Sequence, residues 1–322
     1  MTFNQILGHD RQKEILLQAL ARNRLAHAYL FSGPDGIGKR LVALALTRAI
    51  VCHEQRGCGD CAACRKIDHH NHPDLHLLEA SGSAIKIEDV RSIQRELNFR
   101  PLEASRKICL IDQADLMTAS ASNALLKTLE EPRGNALIIL LTAHPNRLLE
   151  TIRSRCQRLP FHRHPTSRIQ NELERQLDLE PNEAHILAAL AEGSFKKAFG
   201  KDRELFLDQR RQLLKTLTGL SAGSILPILE FAEHLAADKA VLPEILEIFQ
   251  VFYQDVIRQL NGGTLHDFVN RDLQAKIERV ARNESLPSVL TKLDSLFAAQ
   301  RQLERNVNRQ LAMEVLLLRL TA

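Results

Sequence analysis

Seven residues constrain this chain more than any others: Gly33-Pro34-Asp35-Gly36-Ile37-Gly38-Lys39, set between the apolar run Ala28-Tyr29-Leu30-Phe31 and a helical pattern from Lys39 to about Val51. A short apolar run that ends at a glycine-rich turn reads as a buried strand. The glycines let backbone N–H groups turn toward a common point, and a helix N-terminus with a lysine adds positive potential there. Strand, loop and helix in this order therefore read as a phosphate-binding loop. The bland alternative, a tight glycine turn with a solvated lysine, does not require that order. Arg40 stands where a Ser or Thr hydroxyl would ligand Mg²⁺, which puts hydrolysis in question at once.

Two more apolar runs, Ile108-Cys109-Leu110-Ile111 and Leu137-Ile138-Ile139-Leu140-Leu141, read as buried strands. Helical patterns flank them. Asp10 to Ala21 places Ile15, Leu16, Ala19 and Leu20 on one face, and Ser122 to Glu131 is stopped by Pro132. Strands interleaved with helices imply parallel β-α units in an α/β sheet. Asp112 ends the second run, where P-loop ATPases hold Mg²⁺ through water. Gln113 follows, and an amide cannot accept a proton at neutral pH as a carboxylate can.

At 322 residues the chain exceeds what one core usually supports. Strands disappear after Phe161, Pro165 breaks the polar stretch His162 to Ser167, and charged residues from Lys201 to Glu204 suggest a second break. We divide the chain accordingly into an α/β domain at 1–163, a small helical unit at 164–202, and a helical domain at 203–322. In the last, Leu311, Met313, Val315, Leu316 and Leu318 read as core or partner-facing positions. No apolar run approaches the roughly 20 residues that cross a bilayer, and the N-terminus lacks the pattern of a signal peptide. A cytoplasmic location without membrane contact is expected. The net charge of +4 allows nucleic-acid contact without requiring it, and 4% aromatic residues with no Trp supply base stacking poorly.

Four of the six cysteines, Cys52, Cys58, Cys61 and Cys64, lie within one short stretch. Four thiolates suit a closed tetrahedral zinc site with no position left for catalysis. The metal is expected to be structural. A disulfide is disfavoured in a reducing compartment. An iron–sulfur cluster, or substitution by His53, His69, His70, His72 or His76, remains an alternative on residue chemistry alone.

The runs Leu25-Ala26-His27-Ala28-Tyr29-Leu30-Phe31, Ser122-Asn123-Ala124-Leu125-Leu126-Lys127-Thr128-Leu129-Glu130-Glu131-Pro132, Thr151-Ile152-Arg153-Ser154-Arg155-Cys156 and Asn306-Val307-Asn308-Arg309-Gln310-Leu311 make the chain resemble the clamp-loader family of AAA+ proteins over nearly its whole length. The resemblance implies an AAA+ P-loop domain with helices on both faces of a parallel sheet, then a small helical lid, then an all-helical collar that joins five subunits in a ring. It implies that Arg155 reaches into a neighbouring subunit's ATP site, a role suited to a guanidinium supplied in trans. It implies that Thr142 lies near the γ-phosphate sensor position, and that Lys196, in Gly193-Ser194-Phe195-Lys196, stands where the lid motif usually has arginine. It also implies a zinc module after the P-loop helix, although the gap after Cys52 is shorter than the family leads one to expect.

The function so implied is that of a subunit assisting ATP hydrolysis rather than performing it, a stator and arginine-finger donor. Its partners would be the other subunits of a hetero-pentameric ring and, through the assembly, the sliding clamp and primed DNA. Two other readings are an active ATPase motor subunit of the same loader and a zinc-dependent DNA-binding protein with a vestigial nucleotide fold. Arg40 and Gln113 weigh against the first, and the lack of a basic recognition helix beside the cysteines weighs against the second. Whether the chain itself binds ATP and Mg²⁺ stays open.

Overall fold

A computed structural model describes residues 2–80, 82–131, 135–199, 203–221, 223–239, 241–304 and 307–321. Pro132, the expected boundary residues Lys201 and Asp202, and Asn306 lie outside the described residues. The first part of the chain runs α1 (Asp10–Ala21), β1 (Ala28–Ser32), α2 (Lys39–Val51), α3 (Ala62–Asp68), β2 (Leu75–Leu78), α4 (Ile87–Leu97), β3 (Lys107–Ile111), α5 (Ala119–Glu130), β4 (Ala136–Thr142), α6 (Glu150–Arg155) and β5 (Gln157–Pro160). The five strands form one parallel sheet in the order β2-β3-β4-β1-β5.

Side chains alternate across a strand, and here both faces are covered. Tyr29, Phe31, Ile108, Leu110, Leu137, Ile139 and Leu141 point to one core with Leu16, Val42 and Leu46 from α1 and α2. Ala28, Leu30, Cys109, Ile111, Ile138 and Leu140 point to the other with Val90, Ile93, Leu125 and Ile152 from α4, α5 and α6. Burial on both sides is why the three central strands read as continuous apolar runs. The edge strands β2 and β5 went unseen in the sequence, because their buried positions are interrupted by half-buried His76 and Leu77 and by exposed Gln157, Arg158 and Pro160. Immediately before β2, the fully buried carboxylate of Asp74 accepts the amides of Leu102, Glu103 and Ala104, each at 2.8 Å.

From Thr166 the described structure is helical: α7 (Thr166–Leu177), α8 (Pro181–Leu190), α9 (Phe195–Phe199), α10 (Arg203–Leu217), α11 (Ile225–Ala236), α12 (Leu242–Leu260), α13 (Gln274–Asn283), α14 (Leu286–Glu304) and α15 (Arg309–Thr321). Their core includes Leu214, Phe231, Phe249, Phe252, Val289, Leu296, Met313 and Leu317. Arg210, with no exposed surface, donates to Asn270 and Asp272 inside this region. The interior of α15 is Ala312, Met313, Leu316, Leu317 and Leu320, while Leu311, Val315 and Leu318 are exposed. A five-stranded parallel P-loop sheet between helices, followed by helices alone, is the AAA+ architecture that the resemblance implies.

Compactness divides the chain into two units where the sequence led us to expect three. One comprises residues up to His164 together with Gly193–Lys196, and the other comprises Pro165–Glu192 with the chain from Lys197 onward. The segment expected as a separate lid shares a body with the later helices, since α8 packs on α12 and the His185 ring bonds the carbonyl of Phe268 at 3.1 Å. No helix among the described residues is long and apolar enough to cross a membrane.

Candidate functional site

The expected phosphate loop joins β1 to α2 as the sequence pattern requires. Gly33, Gly36 and Gly38 have φ of 151°, 73° and 105°, left-handed or nearby values that side-chain-bearing residues avoid. At Gly36 the restriction is also steric. A Cβ there would lie 2.2 Å from Ser194 Oγ and 2.9 Å from Lys196 Cβ, because Gly193–Lys196 returns to cover the loop. Lys196 takes part through its backbone, its amide donating to Gly36 O at 3.3 Å. Lys39 is buried and donates Nζ to the carbonyls of Gly33 and Pro34, the latter at 2.6 Å. Burial lowers its pKa, while Asp35, Asp112 and Asp115 pull the other way.

The positions suspected of disabling hydrolysis lie together. Arg40 Nη1 donates to Glu79 Oε1 and, at 3.3 Å, to Asp112 Oδ2. The other Asp112 oxygen accepts the amide of Gln113 at 2.9 Å. Gln113 is exposed in a left-handed conformation, φ 51°. Thr142 is buried at the end of β4 and its hydroxyl donates to Asp115 Oδ1 at 2.5 Å while accepting the His144 amide at 2.9 Å. A hydroxyl has one proton to give, and Thr142 has committed it to Asp115. A divalent ion does not fit beside Asp112 as the side chains stand, because the guanidinium already occupies the carboxylates.

Residues that sequence reasoning missed complete the surroundings. His9 Nε2 and His164 Nε2 both donate to Ile37 O, at 2.6 and 2.9 Å, so a single loop carbonyl holds two imidazoles. The rings pack with centroids 4.5 Å apart and planes inclined by 54°, with Phe161 4.7 Å from His9 and Phe195 4.7 Å from His164. Burial drives the pKa of His9 down to about 4, against the opposing pull of its bond to Ile37. Nothing in the local sequence marks this pair, since its partners lie 28 and 127 positions away. Glu79 follows β2 as Asp112 follows β3, a signal hidden with that edge strand.

Arg155 ends α6 and bonds groups outside this cluster. Its Nη1 donates to Thr151 O at 3.0 Å, and its Nη2 pairs with Glu130 Oε1 of α5 at 2.6 Å, with the side chain partly exposed.

The four cysteines converge. The Sγ atoms of Cys52, Cys58, Cys61 and Cys64 lie within 4.8 Å of one another, with Cys58 and Cys64 3.9 Å apart. Tetrahedral zinc with bonds of about 2.3 Å sets its sulfurs about 3.8 Å apart, so the donor set fits a structural metal. Amides of Cys58 and Cys64 donate to the sulfurs of Cys52 and Cys61, each at 3.4 Å, which stabilises the thiolate that a metal requires. Burial works against ionisation of Cys52, but donors from Cys58, Glu54 and Cys64 bring its pKa to about 6. No histidine joins the group among the described residues. Asp74 explains one: its amide donates to His72 Nδ1 at 3.1 Å. The remaining cysteines, Cys109 and Cys156, are buried in the sheet's core with thiol pKa values pushed up to about 12.

Residues 8–165 match the family model described as DNA polymerase III, delta subunit, and residues 204–322 match the model of its C-terminal part. The chain is 33% identical over 315 residues to the DNA polymerase III subunit delta' of Bacillus subtilis, covering 96% of this chain and 95% of that one. It is 32% identical to the delta' subunit of Pseudomonas aeruginosa, covering 95% of each. The tau subunit of Escherichia coli is 35% identical over 209 residues, which are 61% of this chain and 32% of tau. With similarity to delta' end to end and to tau over part of the chain, the protein belongs to the DNA polymerase III delta' clamp-loader family.

Proposed function

We propose that the chain is a non-hydrolysing, or very weakly active, subunit of the DNA polymerase III clamp loader, and that it supplies Arg155 to the ATP site of a neighbouring subunit. The observation that carries the first half is the pairing of Arg40 with Asp112 and Glu79, with Gln113 beside them: the metal and base positions hold a guanidinium and an amide. The second half is supported by the partial exposure of Arg155 and by its bonds to Glu130 and Thr151, neither of them a group of the phosphate loop. In the assembly the chain acts as a stator within a hetero-pentameric ring, meeting the sliding clamp and primed DNA as part of that ring. Its place of action is the cytoplasm. The four cysteines hold one structural zinc, which closes residues 52–64 into a module and takes no part in chemistry.

Reconstitution tests this reading. Arg155→Ala is expected to leave folding, metal content and ring assembly unchanged, while the DNA-stimulated ATPase of the complex falls sharply and hydrolysis at the one site served by Arg155 falls by roughly 10³ to 10⁵, the range for trans-acting arginines in phosphoryl transfer. Arg155→Lys is expected to rescue poorly, because an ammonium cannot offer two parallel donors. An unchanged ATPase and loading rate would remove the trans role. Steady phosphate release by the isolated chain, abolished by Lys39→Ala, would instead identify a motor subunit.

A further inference from the structure

The two carboxylates beside the phosphate loop already have a cation. Parallel pairing sets Leu78 against Ile111, so Glu79 and Asp112, the next residue of each strand, emerge side by side at the C-terminal edge of the sheet. Open α/β sheets take their ligands at that edge. Two carboxylates meeting next to a phosphate loop make a donor set for a divalent ion, since Mg²⁺ is commonly bound by one or two carboxylates together with phosphate oxygens. Here one nitrogen of Arg40, the second residue of α2, bonds both of them. A guanidinium Nη carries two protons and can serve two acceptors at once. A second cation at the same place would be repelled by the first and would find its ligands taken.

We propose that Arg40 is a tethered cation that replaces the divalent ion of this phosphate loop, and that Glu79 and Asp112 form a latent divalent-cation site which Arg40 keeps closed. Binding of a polyphosphate by the chain is then independent of divalent metal. The inference rests on reading Gly33–Lys39 as a phosphate loop and is separate from the role of Arg155.

Calorimetric titration of the full-length chain with ATP, with and without Mn²⁺, tests it in buffer cleared of divalent ions by resin, since a chelator would strip the cysteine site. Wild-type affinity for ATP, at whatever strength, is expected to be the same with and without Mn²⁺. Arg40→Thr is expected to bind ATP at least about tenfold more tightly with Mn²⁺ than without, a difference of about 1.4 kcal/mol. Arg40→Thr combined with Asp112→Asn is expected to lose that dependence. If Arg40→Thr fails to fold, judged by circular dichroism and zinc content, Arg40→Gln opens the same site with a longer side chain. Wild-type binding that tightens about tenfold with Mn²⁺, or an absence of metal dependence in the folded Arg40 variants, overturns the proposal. Either result leaves the reconstituted Arg155→Ala measurement untouched, so the two readings fail separately.

Discussion

The phosphate loop and the cysteine cluster each answer a motif in the sequence, and the fold treats them in opposite ways. At the cluster, four donors of one kind are drawn together, an arrangement that could hold a metal ion. At the loop, complementary groups are drawn together and satisfy one another. Lys39 meets the carbonyls of Gly33 and Pro34, Arg40 meets Asp112 and Glu79, and Thr142 meets Asp115. A motif therefore states which groups a site contains. Whether the site depends on an outside ligand follows from whether those groups can pair among themselves.

The largest effect that tests this contrast belongs to the cluster. Cys61→Ser should lose the metal and loosen residues 52–68, with a fall in melting temperature larger than any single substitution at the loop produces. Structural zinc contributes about 10–16 kcal/mol of apparent binding energy in zinc-finger peptides. Metal analysis and thermal melting check this, and Cys156→Ser should keep its metal; loss of metal there with retention in Cys61→Ser would break the assignment.

A smaller effect is expected at the loop, where self-satisfied groups lean on close approach. Gly36→Ala requires a side chain at φ 73° and sets its Cβ against Ser194 and Lys196. A cost of about 1–3 kcal/mol is expected from backbone strain of this kind, read by urea denaturation. Ser194→Gly in the same chain should recover part of it by removing the 2.2 Å contact. Equal stability of Gly36→Ala and wild type would show that the loop is not closely covered.

The smallest effect concerns the two imidazoles on Ile37. The folded-state pKa of His9, about 4, lies below its ordinary value of 6.5, so the unfolded chain binds more protons between them. Stability from this group is complete above about 6.5 and declines as the pH falls toward 4. His9→Gln retains a donor for Ile37 O and should show a shallower acid decline. Comparing the two proteins across that window cancels acid loss of the metal, which is common to both; identical slopes would remove His9 from the account.

What the sequence revealed follows burial. The runs at β1, β3 and β4 are covered on both faces and announce themselves as apolar, and α1 and α2 begin and end where their patterns do. The edge strands are covered less and stayed hidden, and Glu79 stayed hidden with β2. The cysteines and loop glycines were legible because their chemistry demands short spacing. The partners of Ile37 O and the Glu130 pairing of Arg155 depend on tertiary approach alone. The helical segment after Pro165 was seen, but its membership of the second unit was not, since the His185 bond to Phe268 spans 83 positions.

The strand β2 touches the sheet along one side only, through four residue pairs with β3. Those pairs are the ruler that sets Glu79 level with Asp112. A slip of one residue would carry Glu79 about 3.3 Å along the strand and turn it to the opposite face, leaving Arg40 with one carboxylate instead of two. The charge balance of the site is thus stored as a mechanical alignment. A substitution at Leu75 or Leu78, buried and uncharged, can upset it without altering any group that the loop presents.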